Sequence, residues 1–319
     1  MVKQDVVPWY KPLPFYPTLE KELQNLGGLE GVMTLAPQKV QDVLTPDLVH
    51  EERVIGGPDN NDLTVSIFRR AGSQGSSERK LGIYDIHGGG MITGTRFTTA
   101  AWALHAVRKF DAVCVTIEYR LAPAHPDPAP VKDCYAGLVW LSEHAAELQI
   151  DPCRILISGC SAGGGLAAGV ALLARDRDGP SLIGQMLMCP MLDDRSNSVS
   201  AYQMDGLGVW DRKTNLQGWT ALLGDRRGTK NVSIYASPAR SRDLSRLPPV
   251  YIDVGSCETF HDEDVQYASG LWKDGVQCEL HVWPGGFHGS DMLFPTVDLS
   301  VEAIDAKMRW LQRLLTQLE

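Results

Sequence analysis

The chain lacks the sequence features of membrane, secreted and nucleic-acid-binding proteins. Its 319 residues contain no apolar run near the ~18–20 residues that a membrane-spanning helix requires. The N-terminal segment has no apolar stretch of the kind found in a secretory signal. The formal net charge is −9, so there is no surplus of lysine and arginine to contact phosphates. We therefore predict a cytoplasmic protein with no membrane and no nucleic-acid partner.

The seven cysteines also lack the spacing of a metal or redox site. No C-x-x-C pair occurs, and most of the thiols lie within apolar runs such as Val113–Val115. Free cysteine is among the most frequently buried residue types. The sequence therefore predicts buried free thiols and no metal site built from cysteine.

Strand-like and helix-like patterns alternate from about residue 50 onward. Short apolar runs are separated by longer segments of helical periodicity, which predicts a mainly parallel sheet with helices on both faces. The predicted strands are 63–68, 81–86, 112–117, 154–158, 183–189, 250–254 and 279–282, and the predicted helices are 100–110, 129–147, 163–175 and 301–318. The predicted fold class is therefore α/β, with one catalytic domain.

Two segments do not fit this alternation. Residues 1–50 combine aromatic residues with helical patterning, and residues 193–246 carry a second group of aromatic and apolar side chains. We predict that both segments form a helical cap over the carboxyl edge of the sheet, where open α/β folds bind ligands. The catalytic domain then consists of residues 51–192 and 247–319.

The segment Gly159-Cys160-Ser161-Ala162-Gly163 matches the G-x-S-x-G motif and lies between a predicted strand and a predicted helix of small residues. The turn is tight, so the positions two residues either side of the serine must be nearly free of side chain, and both are glycine. Ser161 is the predicted nucleophile, and the Ala162 amide is predicted to face a developing oxyanion. The overlapping segment Gly163–Ala168 also fits a G-x-G-x-x-A dinucleotide motif, but no acidic residue closes a second strand about 20 residues later.

A second motif, His87-Gly88-Gly89-Gly90, follows the predicted strand 81–86. Glycine lets the backbone approach a substrate oxygen, so the amides of Gly88 and Gly89 are predicted to complete the oxyanion hole. With the serine motif and the segment Tyr119–Pro126, this motif makes the sequence similar to the hormone-sensitive-lipase family of α/β-hydrolases. The resemblance extends from about residue 80 to 290 and implies a carboxylesterase on an α/β-hydrolase fold with a helical cap. It also implies that Tyr119–Pro126 braces the oxyanion loop.

The resemblance also implies a base and an acid in the order serine, acid, histidine. His288 lies in a glycine- and proline-rich loop after the last predicted strand, at the position of the family's terminal histidine. Glu258 occupies the acid position, which is more often aspartate in this family. Asp253, Asp262 and Asp264 are alternatives for the acid.

Two further features permit other interpretations. The run His261–Asp264 suggests a metal site, but acids in the first turn of a helix are stabilised by the helix dipole and need no metal. Cys160 stands where the family usually has aspartate or glutamate, and a thiol cannot make the charge-assisted hydrogen bonds of a carboxylate. We expect altered local bracing at Cys160 and no loss of activity.

The predicted reaction is a two-step acyl transfer on a small-molecule ester, with no metal and no organic cofactor. The resemblance implies short- or medium-chain acyl esters, but a lactone or an acetylated secondary metabolite is equally compatible with these residues. The intact serine, acid and histidine disfavour a small-molecule receptor on a hydrolase fold. Trp210, Met204 and Leu207 are candidate pocket residues that could equally form the core of the cap. Homodimerisation is common in the family, so a homodimer is a further prediction.

Overall fold

Eight strands form one sheet in the computed structural model, which describes residues 10–26, 28–73 and 79–318. The strands are β1 (Leu48–Gly56), β2 (Asp62–Arg70), β3 (Lys80–Ile86), β4 (Val113–Glu118), β5 (Ile150–Cys160), β6 (Gly184–Met188), β7 (Val250–Gly255) and β8 (Cys278–Trp283). Their order is β1-β2-β4-β3-β5-β6-β7-β8. β2 is antiparallel to both of its neighbours, and all other neighbouring pairs are parallel. The predicted α/β fold with a mainly parallel sheet is confirmed.

Helices connect the strands and cover both faces of the sheet. The α-helices of the described residues are α1 (Pro17–Leu26), α2 (Gly28–Leu35), α3 (Val40–Val43), α4 (Ala101–Phe110), α5 (Ala129–Glu143), α6 (Ala162–Asp176), α7 (Val199–Gln203), α8 (Arg212–Leu223), α9 (His261–Lys273), α10 (Ser290–Leu293) and α11 (Asp298–Thr316). Short 3-10 helices span Gly224–Arg226 and Pro238–Arg240. In the described part of the chain, no helix is both long and apolar enough to cross a bilayer.

Two apolar clusters hold the layers together. One lies on the face covered by α5, α6 and α9, and the other on the face covered by α4 and α11. All seven residues of β3 are buried, as expected for a strand with parallel neighbours and helices on both sides. The sheet is therefore a rigid platform whose carboxyl ends present the loops after β3, β5, β7 and β8.

The two predicted cap segments pack in different ways. Leu19 of α1 is fully buried in a small cluster with Val209, Phe287 and Leu299, away from the main core. In contrast, Trp219 of α8 belongs to the same apolar cluster as the strands. Part of segment 193–246 is therefore core of the main body, and the division into cap and catalytic domain stays a prediction. Residues 1–9 of the first segment lie outside the described residues.

The glycines of the alternative dinucleotide motif lie inside α6. A Cβ atom at Gly165 would sit 2.1 Å from the carbonyl oxygen of Met191, and one at Gly164 would sit 3.0 Å from the Cα atom of Pro190. These positions therefore allow neighbouring backbone to approach the helix closely. They do not form a phosphate-binding turn.

Candidate active site

Ser161 occupies the sharp turn between β5 and α6. Its backbone has φ 57° and ψ −123°, a conformation that is rare for a residue with a side chain. A Cβ atom at Gly159 would lie 2.3 Å from the carbonyl oxygen of Gly163, and one at Gly163 would lie 2.0 Å from that of Ile86. The Ser161 amide donates to the Met188 carbonyl at 2.8 Å. The two glycines and this hydrogen bond together permit the strained turn that presents the serine.

His288 lies on the loop between β8 and α10. Its Nε2 atom is 2.9 Å from Ser161 Oγ. The imidazole packs edge-on against Phe260, with ring centroids 5.1 Å apart, and lies 6.5 Å from the Trp210 ring. The residue is 9% exposed. A buried imidazole at this distance can accept the proton of the serine hydroxyl.

Glu258 follows β7 and lies on the far side of the imidazole. Its Oε2 atom is 3.0 Å from His288 Nδ1, and the residue is 1% exposed. The second carboxylate oxygen, Oε1, is buried and has no hydrogen-bond partner among the described residues. Burial raises the pKa of Glu258, although the contact with His288 opposes this rise. The three side chains therefore form one continuous hydrogen-bonded chain.

The alternative acids have other partners. Asp253 forms a buried ion pair with Lys307 at 2.6 Å, and Asp262 accepts from the Ser200 amide at 2.9 Å. Both carboxylate oxygens of Asp264 are buried with no partner among the described residues. Of the four candidates, Glu258 is the one hydrogen-bonded to the histidine.

The electrostatic environment of His288 combines burial with a nearby carboxylate. Burial alone would lower the pKa of His288, but Cys189 and the Glu258 carboxylate raise it well above its ordinary value. The contact with Cys160 and burial raise the pKa of the Cys189 thiol well above its ordinary value, so this thiol is neutral near neutral pH. The carboxylate therefore supplies the negative charge that favours the imidazolium.

The loop after β3 supplies backbone amides close to the serine. The Gly88 amide donates to Thr99 Oγ1 at 3.2 Å, so the prediction that it faces an oxyanion is not supported. The amides of Gly89, Gly90 and Ala162 donate no hydrogen bond to any described residue. Unpaired amides beside a nucleophile are the donors that an oxyanion hole requires.

A cavity of about 280 Å³ opens onto Ser161 and His288. Trp210, one of the three candidate pocket residues, lines it. Met204 and Leu207 do not line this cavity: Met204 is buried, and Leu207 is 38% exposed.

The sequence did not predict the other residues of the cavity wall. Further wall residues come from α2 and the segment after it, from the loop before α4 and from α10: Val32, Leu35, Pro37, Thr98, Met292 and Leu293. For α2 and the segment after it, the amphipathic pattern of residues 1–50 was the one feature of the sequence that pointed to a position over the cavity.

The family described as alpha/beta hydrolase fold matches residues 83–292 of the chain. Carboxylesterase NlhH of Mycobacterium tuberculosis (strain CDC 1551 / Oshkosh) is 33% identical over 280 residues, which cover 87% of this chain and 86% of that protein. Esterase LipI of Mycobacterium tuberculosis (strain ATCC 25618 / H37Rv) is 31% identical over 256 residues, which cover 80% of this chain and 78% of LipI. A solved structure described as a bacterial heroin esterase has a TM-score of 0.87 and 32% identity, covering 94% of this chain and 98% of that one.

The chain belongs to the hormone-sensitive-lipase-like carboxylesterase family of α/β-hydrolases. The predicted family and fold are thereby confirmed. The chain is a serine hydrolase that acts on carboxylic ester bonds, in agreement with its carboxylesterase relatives. The receptor and dinucleotide-binding alternatives have no support in these relatives.

The segment after β4 contacts the loop after β3 of this α/β-hydrolase directly. The Tyr119 hydroxyl donates to the His87 carbonyl at 2.9 Å, and the two rings stack with centroids 4.2 Å apart. The Ala122 amide donates to the Met91 carbonyl at 2.9 Å. Burial lowers the pKa of His87 to about 4, so the ring is neutral at neutral pH. These contacts fit the bracing role that the resemblance implied.

The donor atoms of Cys189, Glu258 and His288 lie within 4.8 Å of one another, and they are the only such group of potential metal ligands among the described residues. The hydrogen bond between Glu258 and His288 accounts for part of this proximity. The acidic run His261–Asp264 does not form a comparable group in the described part of the chain.

Proposed function

We propose that this esterase cleaves short- to medium-chain carboxylic esters, with Ser161 as nucleophile, His288 as general base and Glu258 as the acid that orients the base. The observation that carries the proposal is the hydrogen-bonded chain from Glu258 Oε2 to His288 Nδ1 at 3.0 Å and from His288 Nε2 to Ser161 Oγ at 2.9 Å. Serine is a weak nucleophile until a neighbouring base removes its proton, and this chain provides that base.

In the proposed reaction, Ser161 Oγ attacks the ester carbonyl carbon while its proton moves to Nε2 of His288. The Glu258 carboxylate stabilises the imidazolium that forms. The negative oxygen of the tetrahedral intermediate is bound by the free amides of Gly89 and Ala162. The imidazolium then protonates the leaving alcohol, and a water molecule activated by His288 releases the acid.

The cavity supports a preference for short to medium acyl chains. It is enclosed by apolar side chains such as Val32, Trp210 and Leu293, and its volume is about 280 Å³. Each buried methylene contributes about 0.8 kcal/mol, which corresponds to a gain of about fourfold in kcat/KM while the chain still fits. The rate is therefore expected to rise with acyl length and to fall once the cavity is full. Among the alternative substrates, an acetylated metabolite gains support from the likeness to a bacterial heroin esterase.

The experiment that tests the proposal is a p-nitrophenyl ester series from acetate to decanoate, measured on wild type and Ser161→Ala. Ser161→Ala is expected to lower kcat on the order of 10⁴–10⁶-fold. Ser269→Ala is the matched control, because Ser269 is exposed on α9 and hydrogen-bonds only to the Val265 carbonyl among the described residues.

Two outcomes would contradict the proposal. Near-wild-type activity of Ser161→Ala would exclude Ser161 as the nucleophile. A rate that still increases at decanoate would exclude a short- to medium-chain cavity. Labelling of wild type by a fluorophosphonate provides an independent measurement, because only an activated serine reacts quickly with it.

The cytoplasmic location and the homodimer stay predictions. The seven free thiols support a reducing compartment, because disulfides form and persist mainly in oxidising ones. Cell fractionation tests the location, and sedimentation velocity tests the dimer.

A further inference from the structure

Two thiols meet beside the serine and the histidine. Cys160 Sγ and Cys189 Sγ are 3.6 Å apart, and both residues are buried. Cys160 ends β5, directly before Ser161, and Cys189 directly follows β6. Among the described residues, no other pair of cysteines has sulfur atoms in contact.

The strand register brings these two cysteines close together. Cys160 pairs with Met188 across the parallel strands β5 and β6, so Cys189 lies one residue beyond the direct partner. Cys189 lies outside β6 and has a positive φ of 37°, and its sulfur is 3.6 Å from that of Cys160. The two sulfurs therefore need to approach by about 1.5 Å to reach the bond length of a disulfide.

We propose that Cys160 and Cys189 are a modification site, in which a peroxide oxidant forms a reversible disulfide that lowers the esterase activity. Cys160 is among the residues that line the cavity of Ser161 and is 1% exposed, so we expect a small oxidant to approach it by the substrate's route. Cys189 lies behind it, with its sulfur near His288.

The chemistry takes place in two steps. The sulfur of Cys160 attacks one oxygen of hydrogen peroxide, the O–O bond breaks, and a sulfenic acid and water form. The sulfur of Cys189 then attacks the sulfenic sulfur, the S–O bond breaks, and a second water leaves. The two thiols together lose two electrons and two protons, and the peroxide is reduced to two waters.

The rate of this oxidation is expected to depend on pH. Contact with Cys189 lowers the pKa of the Cys160 thiol, but burial and the carboxylates of Asp291, Glu258 and Asp253 together raise it above its ordinary value. Contact with Cys160 and burial also raise the pKa of Cys189. Because the thiolate is the reactive form, oxidation is expected to be slow near neutral pH and faster at mildly alkaline pH.

The disulfide is expected to disturb the hydrogen bond between Ser161 and His288. Ser161 directly follows Cys160, and the sulfur of Cys189 lies within 4.8 Å of the donor atom of His288. A misplacement of about 1 Å in an active site can cost about 10²-fold, so a loss of kcat/KM of this order is expected. The expected loss of activity rests on the proposed roles of Ser161 and His288, whereas formation of the Cys160–Cys189 disulfide does not.

The test treats the full chain with hydrogen peroxide in the presence of EDTA, so that bound metal cannot bridge the thiols. Wild type is expected to lose about 2 Da, to yield a peptide linked through Cys160 and Cys189, and to lose activity that dithiothreitol restores. Cys160→Ser is expected to lack the linked peptide and to keep its own untreated rate after peroxide treatment. Cys189→Ser is also expected to lack the linked peptide, but its Cys160 still forms a sulfenic acid, which adds about 16 Da. Cys153→Ser is the matched control, because Cys153 is exposed, and it should behave like wild type.

The outcomes separate this proposal from the proposed function. Absence of the Cys160–Cys189 peptide in oxidised wild type overturns the modification site. If oxidised wild type yields the linked peptide but shows no reversible loss of esterase activity, the proposed effect of the disulfide on activity is overturned. Because the mass measurement needs no turnover, it also applies to Ser161→Ala. Failure of the proposed nucleophile would therefore leave the linked peptide in place.

Discussion

Replacing Glu258 by glutamine tests the proposed acid with little change of volume. The substitution removes the negative charge whose oxygen lies 3.0 Å from His288 Nδ1 in a fully buried site. Two unit charges about 4 Å apart interact by about 4 kcal/mol at an effective dielectric constant of about 20. If this attraction is lost in the transition state, Glu258→Gln should lower kcat/KM by about 10³-fold. His288→Ala should cost more, because it removes the base itself.

The pH profile provides a second readout for Glu258→Gln. The base form of His288 is required, so kcat/KM of wild type should rise with pH through a pKa above the ordinary value of histidine, in accordance with the raised pKa. Without the carboxylate the imidazolium loses its stabilisation, and the rising limb should move to lower pH. The assay is kcat/KM on p-nitrophenyl butyrate from about pH 5 to about pH 9, with each rate corrected for spontaneous hydrolysis.

Two variants serve as controls for the choice of acid. Asp262→Asn changes a carboxylate that accepts from the Ser200 amide, and Asp253→Asn changes one that is paired with Lys307. Neither should move the rising limb as Glu258→Gln does. The reasoning is refuted if Glu258→Gln stays within about tenfold of wild type and its limb does not move. A thousandfold loss in Asp262→Asn would instead assign the acid there.

Three further predictions concern the cavity and the fold. Trp210→Ala should enlarge the cavity and shift the chain-length optimum toward longer acyl groups, measured with the p-nitrophenyl ester series. Lys307→Met should destabilise the fold by about 3–5 kcal/mol in urea unfolding, because it leaves Asp253 and Asp291 without the buried ammonium that lies within 2.7 Å of each. Gly163→Ala should lower stability by about 1–3 kcal/mol or more, because its Cβ would lie 2.0 Å from a carbonyl oxygen.

Each of these predictions has a matched control. Trp272→Ala removes a tryptophan that is 50% exposed on α9, and the acyl optimum should not change. Arg309→Met changes an exposed residue of α11, with an expected effect below about 1 kcal/mol. Gly56→Ala adds a Cβ with no atom within 4 Å. Equal effects in a variant and its control would contradict the corresponding argument.

The sequence predicted the fold because buried parallel strands have a simple pattern. β3 and β7 are buried at every position, so their apolar runs are nearly continuous. The antiparallel edge strand β1 was missed. Its sequence, Leu48–Gly56, carries charged residues on partly exposed positions, as edge strands commonly do. An edge strand has one neighbouring strand and is exposed to solvent on its other side. Its distribution of polar and apolar residues therefore resembles that of a loop.

The site was predictable where local geometry fixes the residue type. Gly159 and Gly163 are required by backbone contacts of the elbow, so the motif identifies the turn and its serine. The partner of the Gly88 amide could not be predicted, because Thr99 is eleven residues away and its rotamer depends on the loop before α4. The positions of Met204 and Leu207 away from the cavity could not be predicted, because their apolar character does not show which side of the cap they face.

The proposed chemistry and the shape of the cavity depend on different parts of the chain. The serine, the acid and the histidine follow the carboxyl ends of β5, β7 and the edge strand β8, and the sheet fixes their separation through its hydrogen bonds. The outer cavity wall comes from α2 and α10, which are short helices attached to the sheet by loops. Substitutions at Val32 or Leu293 should therefore change the preferred ester while the hydrogen bond between Ser161 and His288 is preserved. A short motif can thus predict the reaction. The substrate preference depends on contacts between segments that are distant in the sequence, and a short motif does not predict those contacts.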